Sequence, residues 1–319
     1  MTLPGEVRQV LEEGVFCHVA APGVRRPHLT PVVFVLDGGR LWLTTARSSR
    51  KHGLWRERPE AAGMVRAGAL AVSVRGPVES YDLLDPTTWA RSVVRSPLLT
   101  RAAARFTAKN LRFFAGYARD ARRVPLGWTP PGRVFVSIDP AAGALLDLTT
   151  GEVLLRWGRT GTGVTGLASY RRLAHRDLPD EGAPEDVRAL LGDHGEGVLA
   201  VRTHLGDTVL PGHWVRDREE GAYYAILPRA FLELAGGGPE LPAALVIDRA
   251  SRWRASRMRG IQIRGDARVF LPGELRSGGG SLLERLGPAE REGHHAIVRL
   301  RPERAVWWQG WVSGSLGRR

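Results

Sequence analysis

Cysteine is all but missing from this 319-residue chain. Cys17 stands alone, which excludes an intrachain disulfide and a cysteine-built zinc cage. Long apolar runs are missing too: none approaches the roughly 18 residues of a membrane-spanning helix. The opening Met-Thr-Leu-Pro-Gly-Glu lacks the basic-then-apolar order of a secretion signal. Together these absences lead us to expect a cytoplasmic protein with no integral membrane segment. Lysine is nearly as scarce, since Lys51 and Lys109 are the only two among 46 basic residues, leaving 44 arginines. The formal charge of +13 raises nucleic acid or an anionic surface as a partner. The arginines are scattered through every segment instead of forming one tract, and this argues against nucleic acid. No P-loop, nucleophile elbow or metal-ligand spacing is present, so no catalytic side chain and no metal site is assigned.

What is present reads as an ordinary globular balance, 43% hydrophobic and 25% charged, in a chain long enough for two domains. Residues 15–20 form a short β-rich run closed by Pro22-Gly23, and 27–36 a longer one. Asp37-Gly38-Gly39 is a hairpin signal leading into 40–45. A short helix over 46–58 follows, capped by Ser48 or Ser49, given an apolar face by Leu54 and Trp55, and ended by Pro59. Strands at 63–65 and 69–78 complete a unit of short antiparallel strands around one small helix, the pattern of a barrel. Residues 86–123 differ, with helical spacing divided at Pro97. Arg101, Arg105, Lys109 and Arg112 fall on one face there. We read it as a solvated face on helices packed through Leu99, Phe106, Phe113 and Phe114; an anion- or membrane-binding face is the alternative.

The second half repeats the first. Glu13-Gly14-Val15-Phe16 returns as Glu196-Gly197-Val198-Leu199, and GRVFVSIDP (132–140) as HHAIVRLRP (294–302). Residues 207–214, 221–227 and 243–268 are again strand-like. The fold class expected is therefore mainly β with helical insertions: two tandem split β-barrels, Greek-key and antiparallel, forming a pseudo-dimer within one chain. The expected divisions are 1–149 with the insertion 86–123, a linker over 150–195, and a degenerate second barrel over 196–319.

Chemistry concentrates at Thr44-Thr45-Ala46-Arg47-Ser48-Ser49-Arg50-Lys51. A strand ends in hydroxyls and enters a helix start beside basic residues, groups that can converge on a phosphate. On spacing alone an exposed basic turn accounts for it equally well. The run FCHVA (16–20) followed by RPHLTPVVFVLDGGRLWLTTARSSRKHGL (26–54) resembles the pyridoxamine 5'-phosphate oxidase-like, FMN-binding split-barrel superfamily. The resemblance implies that Thr45, Ser49, Arg50 and Lys51 hold a cofactor phosphate. It further implies that the strand around His28, Thr30, Pro31, Val32 and Val33 runs along the cofactor ring through backbone groups. In that family a second barrel completes the site across a dimer interface, a part the fused repeat can play. Trp307, Trp308 and Trp311 are candidates to cover the ring, with barrel core or an end plug as the alternative. The second repeat reads Leu227-Pro228-Arg229-Ala230-Phe231-Leu232-Glu233 where the first has Ser-Arg-Lys, so one phosphate site is expected.

Weaker signals are Gly161-Thr162-Gly163-Val164-Thr165-Gly166, read as a linker loop because no βαβ context surrounds it, and His294-His295, read as structural. Cys17 is expected to be a buried strand thiol. The reading that follows is an FMN-dependent oxidoreductase acting on a small organic substrate, monomeric as a pseudo-dimer or homodimeric. An F420-dependent reductase is the alternative within the fold. From another class, a non-catalytic cofactor- or haem-binding protein remains open.

Overall fold

The computed structural model describes residues 3–119, 124, 132–164, 166–168, 182–251, 253–277 and 294–317. The end of the expected insertion (120–123), Thr165 of the glycine-rich loop, and 169–181 of the expected linker lie outside these residues.

The chain opens on a helix that the strand pattern does not predict, α1 (Gly5–Glu13). Val7, Val10 and Leu11 fall at three- and four-residue spacing and are all buried, which gives this short segment one apolar face. Then come β1 (Phe16–Ala21), β2 (His28–Asp37), β3 (Arg40–Ala46), α2 (Arg50–Glu57), β4 (Glu60–Ala67) and β5 (Leu70–Tyr81). The insertion supplies α3 (Trp89–Val94), α4 (Ser96–Lys109) and α5 (Leu111–Arg119). Pro97 sits in the first turn of α4, where its missing N–H costs nothing. Strands β6 (Arg133–Ile138), β7 (Ala142–Asp147) and β8 (Val153–Trp157) finish the first half.

The second half runs α6 (Glu185–Arg188), β9 (His194–Thr203), β10 (Gly206–Asp217), β11 (Ala222–Pro228), α7 (Arg229–Glu233), β12 (Glu240–Arg249), β13 (Arg259–Phe270), β14 (His295–Gln309) and β15 (Val312–Gly317). The single strand-like stretch expected over 243–268 is thus two strands, β12 and β13, paired antiparallel. Each half closes a six-stranded antiparallel barrel, β1-β2-β3-β6-β5-β4 and β9-β10-β11-β14-β13-β12. Two tandem split barrels in one chain is the architecture.

Matching glycines mark the repeat. In β5, Val74-Arg75-Gly76-Pro77 pairs past the break between β6 and β7; in β13, Ile263-Arg264-Gly265-Asp266 passes a bulge opposite β14. A Cβ on Gly76 would lie 1.9 Å from the Asp139 carbonyl oxygen, and one on Gly265 would lie 1.7 Å from that of Arg301. Only a residue without a side chain lets the crossing backbones approach this closely.

The first barrel is filled by Val19, Phe34, Leu36, Leu43, Val72 and Val136 among others. Strand alternation sends the intervening residues outward. Ala20, Ala62, Ala71 and Ala144, with Leu29, Met64 and Leu146, join the core cluster of the second barrel. Strand β10 packs across β1, β4 and β5, and β2 packs against β12. Small alanines on the first barrel's outer face let the two halves share one apolar interior.

The basic face of the insertion is neither free for anions nor simply solvated. Arg101 and Arg105 clasp the buried Asp37 carboxylate at 2.9 and 2.8 Å. Lys109 donates to the Leu11 carbonyl at 3.2 Å and lies 4.2 Å from the Phe34 ring centroid, while Arg112 lies 4.8 Å from that of Trp253. These cations fasten the helices to the barrel. No helix among the described residues is long and apolar enough to cross a membrane.

Gly76→Ala or Gly265→Ala should lower unfolding stability in urea by about 1–3 kcal/mol, the usual cost of overpacking. Gly53→Ala, in a helix with nothing within 4 Å of the added carbon, should be neutral or stabilising by up to ~1 kcal/mol. Equal behaviour of all three variants would contradict the close-approach account.

Candidate functional site

At the end of β3 the Thr45 and Ser49 hydroxyls share a hydrogen bond of 2.9 Å, and Ser49 caps α2 by accepting from the His52 backbone N–H at 3.2 Å. The His52 Nδ1–H donates to the Arg47 carbonyl at 3.1 Å. Arg47 grips Asp82 through two bonds of 2.7 and 2.6 Å, which hold that carboxyl below its ordinary range. Arg133 donates to the Thr44 carbonyl and hydroxyl, both at 2.8 Å. This lattice fixes the first turn of α2, which carries Arg50 outward into solvent and Lys51 inward.

Lys51 is 6% exposed, and its Nζ donates to the Thr30 hydroxyl at 2.7 Å. Burial, then the charge of Arg133, push its pKa down to about 7. His28, at the start of β2, is pushed to about 3 by burial, then by Lys51, Arg264 and Arg50; nearby Gln262 opposes the shift only weakly. From the second barrel, Arg264 is pushed to about 10 by burial, then by Arg50, Arg304 and Arg26. Among the described residues, no carboxylate figures in the charges that shift these three. The one opposing group is Cys17, whose thiol burial pushes up to about 12, so that it stays neutral. Cys17 is buried, as its strand position predicts.

The same place holds buried polar atoms without partners: His28 Nδ1, Arg264 Nε and both amide atoms of the fully buried Gln262. The Gln262 amide comes close to His28 without reaching hydrogen-bond geometry. An unsatisfied buried polar group costs about 1–3 kcal/mol, so a cluster of them beside uncompensated cations marks a place built for an anion with polar edges.

Strand β2 pairs with β1 from His28 to Val33 but with β3 only from Phe34 onward. One backbone edge of residues 28–33 therefore has no strand partner among the described residues. Side chains on this strand divide: Val32 packs with the first barrel's interior, Val33 with the cluster under α4 and α5, and Pro31 lies opposite His18. Trp307 and Trp308 are successive on β14 and so point to opposite faces; a Cβ on Gly314 would touch the first indole and one on Gly260 the second. At most one of them faces any single ligand. Trp311 packs instead with the helical insertion's cluster.

Gln262 and Arg264 are absent from the sequence reading of the site. Their signal was the match of Gln-Ile-Arg-Gly (262–265) to Ser-Val-Arg-Gly (73–76), which aligns Arg264 with Arg75. What no spacing shows is that Arg264 ends beside residues more than 200 positions earlier.

A cavity of about 920 Å³ lies elsewhere, bordered by His18, Met64, Arg66, Pro211, Asp248 and His294 among others. None of Thr45, Ser49, Arg50 and Lys51 borders it. It belongs to the matching corner of the second barrel, where the Arg229 N–H donates to the His294 carbonyl as that of Arg47 does to Gly132. Two and four residues beyond Arg229 stand Phe231 and Glu233, in place of Ser49 and Lys51. Glu233 accepts from Arg229 at 3.0 Å. We take the cation cluster, not this roomier space, as the anion site, because anions answer charge and not volume.

Residues 4–110, within the first half of the chain, match the family model described as pyridoxamine 5'-phosphate oxidase. No curated protein matches the chain. Solved structures similar to it include a pyridoxamine 5'-phosphate oxidase-related, FMN-binding protein from Nostoc punctiforme (15% identity over 47% of this chain and 88% of that one, TM-score 0.34). An FAD-binding protein from Mesorhizobium loti shows 16% identity over 46% and 95% (TM-score 0.33). An F420 reductase shows 21% over 44% and 98% (TM-score 0.30). Likeness at this level carries no argument about chemistry.

Lys51→Met should stabilise the ligand-free protein at pH 6 by about 1–4 kcal/mol, as replacement of buried charge by a similar apolar volume does. The sign with pH follows from the lowered value. Between about pH 7 and the ordinary 10.5 the unfolded chain binds more protons at this lysine, so the wild type gains stability as pH rises through that window. The variant should lack that gain. Destabilisation at pH 6 in thermal melts would show that Lys51 is compensated in a way the geometry does not reveal.

Proposed function

We propose that this chain, whose first barrel resembles pyridoxamine 5'-phosphate oxidases, binds one phosphorylated flavin-type cofactor between its barrels and acts as a flavin-dependent oxidoreductase on a small organic substrate. The observation that supports this reading is the buried group of Lys51, His28 and Arg264, shifted by one another and by neighbouring arginines with no carboxylate among the described residues offsetting them. Lys51 and Arg50 would hold the phosphate with the Ser49 and Thr45 hydroxyls, and charge-assisted bonds of this kind are the strong ones. Arg264 would add a guanidinium from the second barrel, so that one chain supplies both halves of the site.

The unpaired backbone edge of residues 28–33 and the Gln262 amide offer donors and acceptors to the polar edge of a flat heterocycle. Either Trp307 or Trp308 would supply an aromatic face. A bound flavin contributes the hydride or electron chemistry. The protein's own work is anchoring, orientation and exclusion of water, and no side-chain acid or base is assigned. With Thr30 as its acceptor, Lys51 is held in place until an anion replaces that hydroxyl as its main partner.

FMN is the first reading. F420 is the second, favoured by Arg50 and Arg304, both near enough to act on Arg264, because a longer polyanionic tail needs cations beyond one phosphate. Purified protein incubated separately with FMN, F420 or haem and passed through a desalting column distinguishes these by absorbance. Retention of one FMN per chain is the expected result. Arg50→Ala with Lys51→Ala should weaken binding at least tenfold, about 1.4 kcal/mol. Affinity should also fall as pH rises above about 7, because the free protein then loses the Lys51 proton that the phosphate requires. A colourless protein in all three trials, or unchanged affinity in the double variant, would refute the proposal.

A further inference from the structure

The 920 Å³ cavity takes no part in the cofactor proposal, and its walls carry the opposite charge. Among its described lining residues are three carboxylates, Glu13, Glu196 and Asp248, and one cation other than histidine, Arg66. This is in a chain where basic residues outnumber acidic ones by 46 to 33. Arg66 is matched to Glu196 at 2.7 Å, so among the described lining residues no further arginine or lysine answers Glu13 and Asp248. Asp248, on β12, accepts from His18 Nε2, on β1, at 2.9 Å, and the pair is nearly buried, at 15% and 9% exposure. A carboxylate from one barrel is thus held in the wall by an imidazole from the other.

The remaining lining is largely apolar, with Phe16, Met64, Val198, Ile226 and Phe231 among it. The serine and lysine of the first barrel's helix start are replaced in the second by Phe231, which is buried and lines the cavity, and Glu233, which is paired with Arg229. A volume of this size lies in the range of about 300–1,000 Å³ typical of small-molecule sites. Aromatic faces beside a carboxylate suit a cation attached to an apolar body.

We propose that this cavity is a second ligand site, selective for organic cations: molecules with a flat or apolar body and an amine or quaternary nitrogen. Asp248 receives the nitrogen, and His18 is a positioning residue that holds the carboxylate. The two barrels have diverged into one anion corner and one cation corner. This does not depend on which cofactor, if any, occupies the first.

Equilibrium dialysis of the full chain against proflavine, a tricyclic cation without phosphate, and anthracene-9-carboxylate, an anion of similar size, tests it. Proflavine should bind once per chain and at least about tenfold more tightly than the anthracene acid, a discrimination of the size that one buried charge gives. Asp248→Asn keeps the shape of the side chain and should cut proflavine affinity about tenfold. Glu13→Gln, at an exposed position, should cut it about threefold. Saturating FMN should leave proflavine binding unchanged. Equal binding of the two probes, unaltered affinity in both variants, or displacement of proflavine by FMN would each overturn the assignment.

Discussion

A lysine ammonium buried against a neutral hydroxyl is the feature on which the rest of this structure turns. The 2.7 Å bond from Lys51 to Thr30 does little to offset the loss of hydration, because a threonine oxygen carries no charge. Burial and the charge of Arg133 lower the lysine's proton affinity, and burial with other neighbouring cations does the same to His28 and Arg264. A fold selected only for stability would replace such a group with an apolar side chain. Keeping it requires a rigid surround, and the Arg47–Asp82 clamp, the Ser49 cap and the Arg133–Thr44 bonds supply one.

The second barrel brings further buried polar groups to that corner. Alanines on the outer face of the first barrel bring β10 and β12 near, and with them β13, carrying Gln262 and Arg264. The repeated glycine at the crossing, Gly76 in one barrel and Gly265 in the other, shows that the two halves keep the same backbone constraint. Their corners have been freed to differ in charge. The clasp of Arg101 and Arg105 on Asp37 shows the same economy of placement: a strongly basic chain still uses many of its arginines to hold itself together.

Much of this was legible in the sequence. Asp37-Gly38-Gly39 marked the first hairpin, where Gly38 and Gly39 both take positive φ, and the hydroxyl-to-lysine run marked the start of α2. Paired motifs 183 residues apart (13 and 196) and 162 residues apart (132 and 294) marked the second barrel, since a repeated local pattern implies a repeated unit. Helix α1 escaped because the reading began at the first β-rich run, although Val7, Val10 and Leu11 carry a helical period. The break between β12 and β13 escaped because apolar alternation continues on both sides of a turn. Gln262 and Arg264 could not be placed, because their role comes from the docking of two barrels and no local periodicity encodes that. Trp307 and Trp308 are both candidates from the sequence, yet adjacency on a strand sends them to opposite faces.

The scarcity of lysine makes the central claim directly measurable. With ¹³C label at the lysine side chains, only Lys51 and Lys109 give signals, and each can be followed by NMR through a pH titration. Lys51 should titrate near 7 and Lys109 near 8 in the free protein, and addition of FMN should raise the Lys51 value while leaving Lys109 where it was. A Lys51 signal titrating in the ordinary lysine range near 10.5, or one that FMN does not move, would contradict the account.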